Sequence, residues 1–359
     1  MPQKFWRKLK RSLSKPWRHK LASVNQGIRR LLAPTRTRIE WCLPWRRPQA
    51  ASDIVMRVCV TLTSYPPRFP TLALTLKTLL NQSTRADEVV LWLYAPHAAL
   101  LPRSVKCLQD RGLRIALCDE DWRVYKKAIP ALMSDPAAVW VTADDDVCYP
   151  RDWLASLLAG HDAHPSAVIC QRAHLVQFDE AGRPRRYHVW PKQTERTGPD
   201  AALFFTGIGG VLYPPGCLHP DVSDDARFLS LSPDADDIWL NWMVRMHGTP
   251  IVRVGATSEP VTWLGSQKAS LFKSNARGSG NDECIARMGA AYGFACLHVA
   301  VDPSPQAEPL HLPDQRLLEG GGSWEEALSQ DVAAFRDGVA KLPPAALPAQ
   351  PGAWKPPDR

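Results

Sequence analysis

No stretch of the 359 residues is apolar for long enough to predict a membrane-spanning helix. The longest charge-free candidate, Ala201 to Leu218, contains four glycines and the pair Pro214-Pro215, which would leave helix backbone groups unsatisfied in lipid. We interpret it as a loop flanked by strand. A cleaved signal peptide is not expected either, because no apolar core follows the first basic residues.

Paired cysteines are also missing. The nine cysteines are odd in number and include no Cys-x-x-Cys pair, which favours a reducing cytosol over an oxidising compartment. The glycine-rich segment Phe205 to Pro215 is not followed by Gly-Lys-Ser/Thr, so it is not a P-loop. We find no internal repeat, which excludes a repeat architecture.

Acidic residues are scarce at the start of the chain only. Residues 1–50 carry 14 Lys or Arg and one acid, Glu40, a net charge of +13. The remainder has 30 basic and 35 acidic residues, a net charge of −5. The overall charge of +8 therefore belongs to a basic arm, and the body is mildly acidic.

The arm, residues 1–50, mixes its cations with tryptophans and with leucines at near-helical spacing. This pattern predicts association with a membrane surface, where the helix lies in the headgroup layer and each cation adds about 1 kcal/mol near anionic lipid. Pro16 and Pro34 are expected to break the helix into pieces. A disordered basic tail is the plain alternative, and a nucleic-acid-binding arm is a third.

Residues 55–300 alternate between strand and helix patterns and form one predicted domain, with a nucleotide-binding half at 55–150 and an acceptor-side half at 151–300. Alternation predicts an α/β fold with a mostly parallel sheet and helices on both faces. The expected elements are strands at 58–62, 88–94, 113–117 and 137–143 and helices at 72–80, 98–109, 125–133 and 235–246. A C-terminal extension, 301–342, contains a capping box at Ser323 to Glu326, and a Pro-rich tail follows at 343–359.

Three consecutive acids, Asp144, Asp145 and Asp146, follow the apolar run that ends at Ala143. Ligands of open α/β sheets bind where such strands end. In extended chain Asp144 and Asp146 would share one side, which suits Mg²⁺ or Mn²⁺ together with phosphate oxygens. The plain alternative is a solvated turn that caps a helix near Asp152.

A second acidic cluster, Asp234, Asp236 and Asp237, precedes and enters the helix predicted at 235–246. Helix capping explains one or two acids, and a carboxylate beside Trp239 could also act as a general base. Between the clusters, Gly209 and Gly210 would permit close backbone approach to a ligand, or simply form a tight loop.

Polar and cationic residues near the first strand and at the start of the helix predicted at 125–133 complete the candidate site. They could hold a base, a ribose or a phosphate, although a turn and an exposed basic helix end explain them equally well. These residues are Thr61, Ser64, Tyr65, Arg68, Lys126 and Lys127.

Six segments in order resemble the bacterial GT-A glycosyltransferases related to glycosyltransferase family two, over roughly Arg57 to Gly293. The segments are VTLTSYPPRF, YKKAIPAL, VTADDDVCYPRDWL, FFTGIGGVLYPPGCL, PDADDIWLNWM and GSGNDE. The resemblance implies a GT-A fold and a nucleotide-sugar donor bound by the polar residues named above with Asp144, Asp145, Gly209 and Gly210.

The resemblance further implies a divalent metal, Mg²⁺ or Mn²⁺, at Asp144 and Asp146, and a catalytic base at Asp237 with Asp236 beside it. Two points depart from the pattern or leave it open. The segment Leu91 to Ala95 lacks the acid that often reads the nucleotide base, and three adjacent acids allow Asp145 in place of Asp146 as a ligand.

These observations predict an inverting sugar transfer to a glycan or lipid-linked glycan acceptor for a surface polymer such as capsule or lipopolysaccharide. Retention of configuration stays open. The enzyme would lie in the cytoplasm at the inner membrane face, held there by its arm, with no nucleic-acid partner. The alternatives are a metal-dependent nucleotidyltransferase or phosphohydrolase, and a non-catalytic peripheral membrane scaffold.

Overall fold

The computed structural model describes residues 15–43, 49–50, 56–255, 259–266 and 280–294, with side chains from residue 24 onward except at 49–50. The C-terminal extension, its capping box and the Pro-rich tail lie outside the described residues, as does the start of the arm. Among the described helices, none is both long and apolar enough to cross a membrane.

Eleven strands and eight helices organise the described chain. The strands are β1 (Gln49–Ala50), β2 (Val58–Thr63), β3 (Thr84–Arg85), β4 (Glu88–Tyr94), β5 (Leu113–Cys118), β6 (Val139–Thr142), β7 (Val168–Cys170), β8 (Ala173–Leu175), β9 (Leu203–Phe205), β10 (Val211–Tyr213) and β11 (Ile251–Arg253). The helices are α1 (Lys15–Cys42), α2 (Phe69–Leu80), α3 (Arg103–Lys106), α4 (Ile129–Ser134), α5 (Trp153–Ala163), α6 (Asp225–Leu231), α7 (Asp236–Met246) and α8 (Gly280–Tyr292).

The central sheet has seven strands in the order β11-β7-β10-β6-β2-β4-β5. Only β10 runs antiparallel to its neighbours, and every other pairing is parallel. Strand β2 lies inside the sheet and pairs on both sides, with Val60 opposite Val89 and Val141, which explains its apolar sequence. The predicted α/β class with a mostly parallel sheet is confirmed.

Helices cover both faces of this sheet. On one face, alternate strand residues such as Val60 and Val141 pack with α2 and α5. On the other face, Trp140 packs near α4, and Val211 packs with α7 and α8. This two-sided burial is what a parallel sheet requires, because each strand presents both sides to an apolar layer.

Two of the predicted helices are shorter and less regular than expected. In place of a helix at 98–109 the chain forms 3₁₀ turns at 95–100 and 109–111 with α3 between them. In place of a helix at 125–133 it forms a 3₁₀ turn, Arg123–Lys127, and then α4. Pro130 sets that boundary, because it lies in the first turn of α4 and has no N–H to continue an earlier helix.

The prediction that Pro34 breaks the helix of the arm is wrong, because α1 is one helix of 28 residues with Pro34 in its interior. A proline inside a helix costs about 3 kcal/mol, so other contacts must offset it. Ala33 and Thr37 are buried against the body, Trp41 packs on the core around α2, and Gln26 donates a hydrogen bond to the Pro260 carbonyl. Pro16 lies in the first turn, where proline is tolerated.

Candidate functional site

A cavity of about 1010 Å³ opens at the edge where β2 and β6 end. Both acidic clusters face it, one following β6 and the other at the start of α7. Most of the predicted site residues line this cavity: Ser64, Tyr65, Arg68, Lys126, Lys127, Asp144, Asp145, Asp146, Asp236 and Asp237. Residues about 90 positions apart in sequence therefore form one site, because the start of α7 lies against the edge at which the parallel strands β2 and β6 end.

Lys127 connects the two acidic clusters. Its Nζ lies 2.9 Å from Asp144 Oδ1 and 3.0 Å from Asp236 Oδ2. Burial lowers the pKa of Lys127, but the Asp144 and Asp236 carboxylates together raise it well above its usual value. Lys127 is therefore a fixed positive charge between two groups of carboxylates.

Thr61 lies behind the site and holds this lysine in place. Its hydroxyl donates a 2.7 Å hydrogen bond to the Lys127 carbonyl, and the whole residue is buried. The sequence predicted that Thr61 contacts a donor directly. In the structure Thr61 does not line the cavity but supports Lys127, which does.

Arg68 pairs with the other two acids of the first cluster. Its Nη1 contacts Asp146 closely and lies 3.5 Å from Asp145. Ser64 Oγ also donates a 2.6 Å hydrogen bond to Asp145. Burial raises the pKa of Asp145 to about 7, although Arg68 and Ser64 oppose the change, and burial likewise raises the pKa of Asp146.

The arrangement of the three acids differs from the extended segment that the sequence predicted. Strand β6 ends at Thr142, and Asp145 and Asp146 form a turn. Asp145 and Asp146 consequently share one cation, whereas Asp144 faces Lys127. The expectation of extended geometry is wrong here, because period-two alternation holds only while the chain stays in the strand.

Asp237 is positioned by the backbone of the glycine-rich loop. The Gly207 N–H donates a 2.9 Å hydrogen bond to Asp237 Oδ1. Burial and the neighbouring Asp236 raise the pKa of Asp237 to about 7, while Lys127 opposes the change. Burial also raises the pKa of Asp236. A carboxylate of this kind can accept a proton near neutral pH.

Gly207, which the sequence did not single out as a site residue, lies directly against Asp237 and Lys127. A Cβ added there would lie 3.0 Å from both Asp237 Oδ1 and Lys127 Nζ. The predicted glycines serve a different purpose. Gly209 accepts a hydrogen bond from Trp153 Nε1, and Gly210, at φ +87°, packs directly on that indole ring, so neither lines the large cavity.

The far wall of the cavity contains residues that sequence reasoning missed. Lys192 donates to the Tyr187 carbonyl at 2.6 Å, and burial, aided by Arg172, lowers its pKa to about 8. Arg30 of α1 also lines the cavity, so the arm contributes to the site. No sequence signal identified these residues, since they stand apart from any motif and Arg30 resembles the other arginines of the arm.

The central ionic cluster carries a surplus of negative charge. Five carboxylates, Asp144, Asp145, Asp146, Asp236 and Asp237, face two cations, Arg68 and Lys127, which leaves −3 when all are ionised. No three His, Cys, Asp or Glu side chains of the described residues are arranged to hold a metal ion. The cluster can therefore attract an added cation without forming a complete protein cage for it.

No protein-family model matches the chain, and no curated protein matches it. Its fold is similar to solved structures. The mannosyltransferase PcManGT from Pyrobaculum calidifontis, in complex with GDP-Man and Mn²⁺, is 14% identical over 89% of this chain and 90% of that chain, with a TM-score of 0.38.

Two further structures show a comparable likeness. A 4-diphosphocytidyl-2C-methyl-D-erythritol synthase is 12% identical over 60% of this chain and 97% of that chain, with a TM-score of 0.36. S. aureus TarS 1-349 in complex with UDP is 14% identical over 57% and 59%, with a TM-score of 0.36. At such identities and TM-scores these likenesses concern the fold and establish no function for this chain.

Proposed function

We propose that the chain is a glycosyltransferase that moves a sugar from a nucleoside-diphosphate sugar to a hydroxyl of a glycan or lipid-linked glycan. The observation that supports this best is the meeting of two acidic clusters around Lys127 in one large cavity. Sugar transfer needs a base for the acceptor and compensation for the charge of the leaving diphosphate, and the two clusters can divide these tasks.

Asp237 is the proposed base. The acceptor oxygen attacks the anomeric carbon, its proton passes to Asp237, and the bond from that carbon to the diphosphate oxygen breaks, so configuration inverts. The Gly207 N–H fixes one carboxylate oxygen at 2.9 Å, which leaves the other oxygen to meet the acceptor. Base catalysis of this kind typically contributes about 10²- to 10⁴-fold.

The donor is proposed to lie along the first cluster. Ser64 and Arg68 stand at the end of β2, where a diphosphate could take hydrogen bonds from a hydroxyl and a guanidinium. Tyr65, 38% exposed, offers a ring face to a nucleotide base. Lys126, which pairs with Asp121, lies at the same cavity wall.

A divalent cation fits the chemistry of this site. Mg²⁺ and Mn²⁺ prefer carboxylate oxygens, usually keep waters, and are completed by substrate phosphates, so one or two protein ligands suffice. The surplus of −3 in the ionic cluster favours such an ion. Asp144 and Asp146 are the proposed ligands, Asp144 being the more exposed of the two. When bound, the ion would supply positive charge to the departing diphosphate.

Transfer and donor-hydrolysis assays test this function with matched aspartate variants. Asp237→Asn should lower transfer by about 10²- to 10⁴-fold while donor binding persists. Asp234→Asn is the control, because Asp234 lines the same cavity but pairs with Arg123 at 2.9 Å, away from Lys127. Near wild-type transfer by Asp237→Asn would remove its assigned role.

The products discriminate between the reactions. Release of nucleoside diphosphate supports sugar transfer, whereas release of pyrophosphate or nucleoside monophosphate would instead indicate a nucleotidyltransferase or a phosphohydrolase. The anomer of the product, read by NMR, tests inversion. If a panel of nucleoside-diphosphate sugars with Mn²⁺ gave no calorimetric signal, the result would contradict the enzyme and favour the non-catalytic membrane scaffold.

We propose that α1 holds the enzyme at the inner face of the cell membrane, where surface polymers such as capsule or lipopolysaccharide are built. Aliphatic residues spaced three, four and eight positions apart, Val24, Ile28, Leu31, Leu32 and Ile39, are exposed along one side of the helix. Ala33 and Thr37, on the opposite side, are buried on the body. The apolar side is therefore free for lipid, and arginines at 29, 36 and 38 flank it.

Flotation on vesicles of phosphatidylglycerol and phosphatidylcholine tests the anchor. Leu31 and Leu100 are matched leucines, 65% and 62% exposed, one on α1 and one on the body. Leu31→Asp should reduce flotation of the full-length chain by several fold, whereas Leu100→Asp should leave it unchanged. Equal flotation of both variants would contradict the anchor.

A further inference from the structure

A second cavity of about 440 Å³ lies between α1 and the body, and we name it the α1 cleft. Ile28, Arg29, Leu32 and Arg36 of α1 form one wall. The opposite wall includes Arg151 and, deeper, Arg172. The cleft exists because α1 docks through Ala33 and Thr37, while the side chains beside this contact stand away from the body.

The lining of the α1 cleft combines hydrocarbon with positive charge. Its cations are Arg29, Arg36, Lys77, Arg151 and Arg172, against the acids Glu40, Asp152 and Glu259, a net charge of +2. Arg36 forms an ion pair with Glu40 at 2.6 Å, so Arg29 determines the charge at the α1 wall of the cleft, which is its outer wall. A ligand that matches this lining has an apolar chain joined to an anionic group such as phosphate.

The α1 cleft adjoins the large cavity that contains the two acidic clusters. Arg172, Ile208, Glu259 and Pro260 line both cavities. Arg172 also donates a 2.7 Å hydrogen bond to Thr206, which directly precedes the glycine that holds Asp237. A molecule seated in the cleft can therefore extend past Arg172 toward the proposed base.

The outer end of the α1 cleft lies beside the proposed membrane face. Ile28 and Leu32 both line the cleft and belong to the exposed aliphatic side of α1, where they are 51% and 58% exposed. An amphiphile on that apolar surface can consequently reach the cleft along Ile28 and Leu32, with Arg29 and Arg36 beside its path. The same helix thus contacts the proposed membrane and one side of the path to the site.

We infer that the α1 cleft binds the phosphate and the adjoining hydrocarbon of a lipid-linked acceptor, with the acceptor hydroxyl directed to Asp237. This inference rests on the proposed function and adds the chemical class of the acceptor to it. Arg29 is the phosphate contact at the outer wall, and Ile28 and Leu32 contact the hydrocarbon. Arg172 marks the passage to the catalytic cavity.

Photolabelling of the full-length chain tests the cleft. The probe is decyl phosphate carrying a diazirine on its chain, used below its micelle concentration and mapped by mass spectrometry. Unlabelled decyl phosphate, decanol and inorganic phosphate serve as competitors. Arg29→Glu is compared with Arg38→Glu, the same charge reversal on an exposed arginine of α1 that lines neither cavity.

Labels are expected on Ile28, Leu32 or Val261, with competition by decyl phosphate and at most weak competition by decanol or by phosphate alone. Arg29→Glu should lower this labelling about tenfold and Arg38→Glu less than twofold. Labelling confined to Val24, Leu31 and Ile39 would overturn the inference, because the chain would then bind only the outer surface. Equal losses in both variants would also overturn it.

Failure of this inference can be told apart from failure of the proposed function. The wild-type chain is titrated in parallel with nucleoside-diphosphate sugars and Mn²⁺, in the absence of any lipid. Donor uptake without labelling of the cleft refutes the acceptor class alone. Labelling without donor uptake supports a lipid-phosphate site and contradicts sugar transfer.

Discussion

Lys127 offers the sharpest test of how the site is held together. Its ammonium is buried and bridges Asp144 at 2.9 Å and Asp236 at 3.0 Å. Replacing it by methionine keeps most of the side-chain volume and removes the charge. The five carboxylates would then face Arg68 alone, so the surplus of the ionic cluster would grow from −3 to −4.

The expected loss of stability is large, because removing one partner of a buried ion pair leaves uncompensated charge. Such losses are about 3–5 kcal/mol. Lys126→Met is the matched control at the adjacent position, since Lys126 is also buried but, among the described residues, forms its ion pair with Asp121, whose side chain is 44% exposed. Water can solvate Asp121 in that variant, so we expect a loss of about 1 kcal/mol or less.

The loss should also depend on pH in a defined direction. Burial already raises the pKa of Asp236 and Asp237, and Lys127 opposes that rise, so its removal raises both further. A carboxyl whose pKa is higher in the folded state binds more protons there than in the unfolded chain. The free energy of unfolding therefore falls as pH increases from about 4 through the folded-state pKa, by up to about 1.4 kcal/mol per pH unit and proton.

Urea unfolding at pH 5 and pH 8 in EDTA measures these quantities. We expect Lys127→Met to lose about 3–5 kcal/mol at pH 8 and clearly less at pH 5, where the carboxyls retain protons. The double variant with Asp236→Asn should recover part of the loss at pH 8. A loss no larger than that of Lys126→Met, or one that does not change with pH, would refute the bridging role.

Three further outcomes follow from the same geometry. Because the pKa of Asp237 is about 7, transfer should fall with decreasing pH below that value, and a rate independent of pH between 5 and 8 would exclude Asp237 as the base. EDTA should abolish transfer and Mn²⁺ restore it, unless Asp144 holds no metal ion. Gly210→Ala should unfold at far lower urea than Gly216→Ala, because both have positive φ but only Gly210 would place a Cβ 2.5 Å from Trp153.

The main features of the fold could be predicted because strands buried on both faces of a sheet have continuous apolar sequences. Strands β2, β4, β5 and β6 all lie at apolar runs, and helix α2 between β2 and β4 follows from leucine spacing. The helices predicted at 98–109 and 125–133 are largely replaced by 3₁₀ turns. Such short turns depend on local proline geometry and on packing, which a periodic pattern does not encode.

The arm shows where tertiary packing overrides a local rule. Pro34 predicts a break, yet α1 is continuous because Ala33, Thr37 and Trp41 contact the body on a common side. Spacing identified an apolar helix face correctly but could not indicate which face docks and which remains exposed. That assignment requires the partner surface, which lies more than 100 residues away at Cys148 and Pro260.

Most residues that line the cavity could be predicted from the sequence, but the contacts between them could not. The two acidic clusters could be found from their charge, but the turn at Asp145 and Asp146 changed which carboxylates share a cation. Lys127 stood out only as one of two adjacent lysines. Its bridging position depends on how the 3₁₀ turn Arg123–Lys127 packs between the two acidic clusters, a tertiary relation that a local sequence pattern does not encode.

The charge balance of the cavity connects donor binding to base strength. In the proposed reaction a nucleoside diphosphate would add negative charge near Arg68, and without a compensating cation this charge would raise the pKa of Asp237 above its value of about 7. If a cation were bound with the diphosphate, the pKa of Asp237 would be lower again. In the proposed reaction Asp237 would therefore be an effective base at neutral pH only when the diphosphate brings its counter-charge into the cavity.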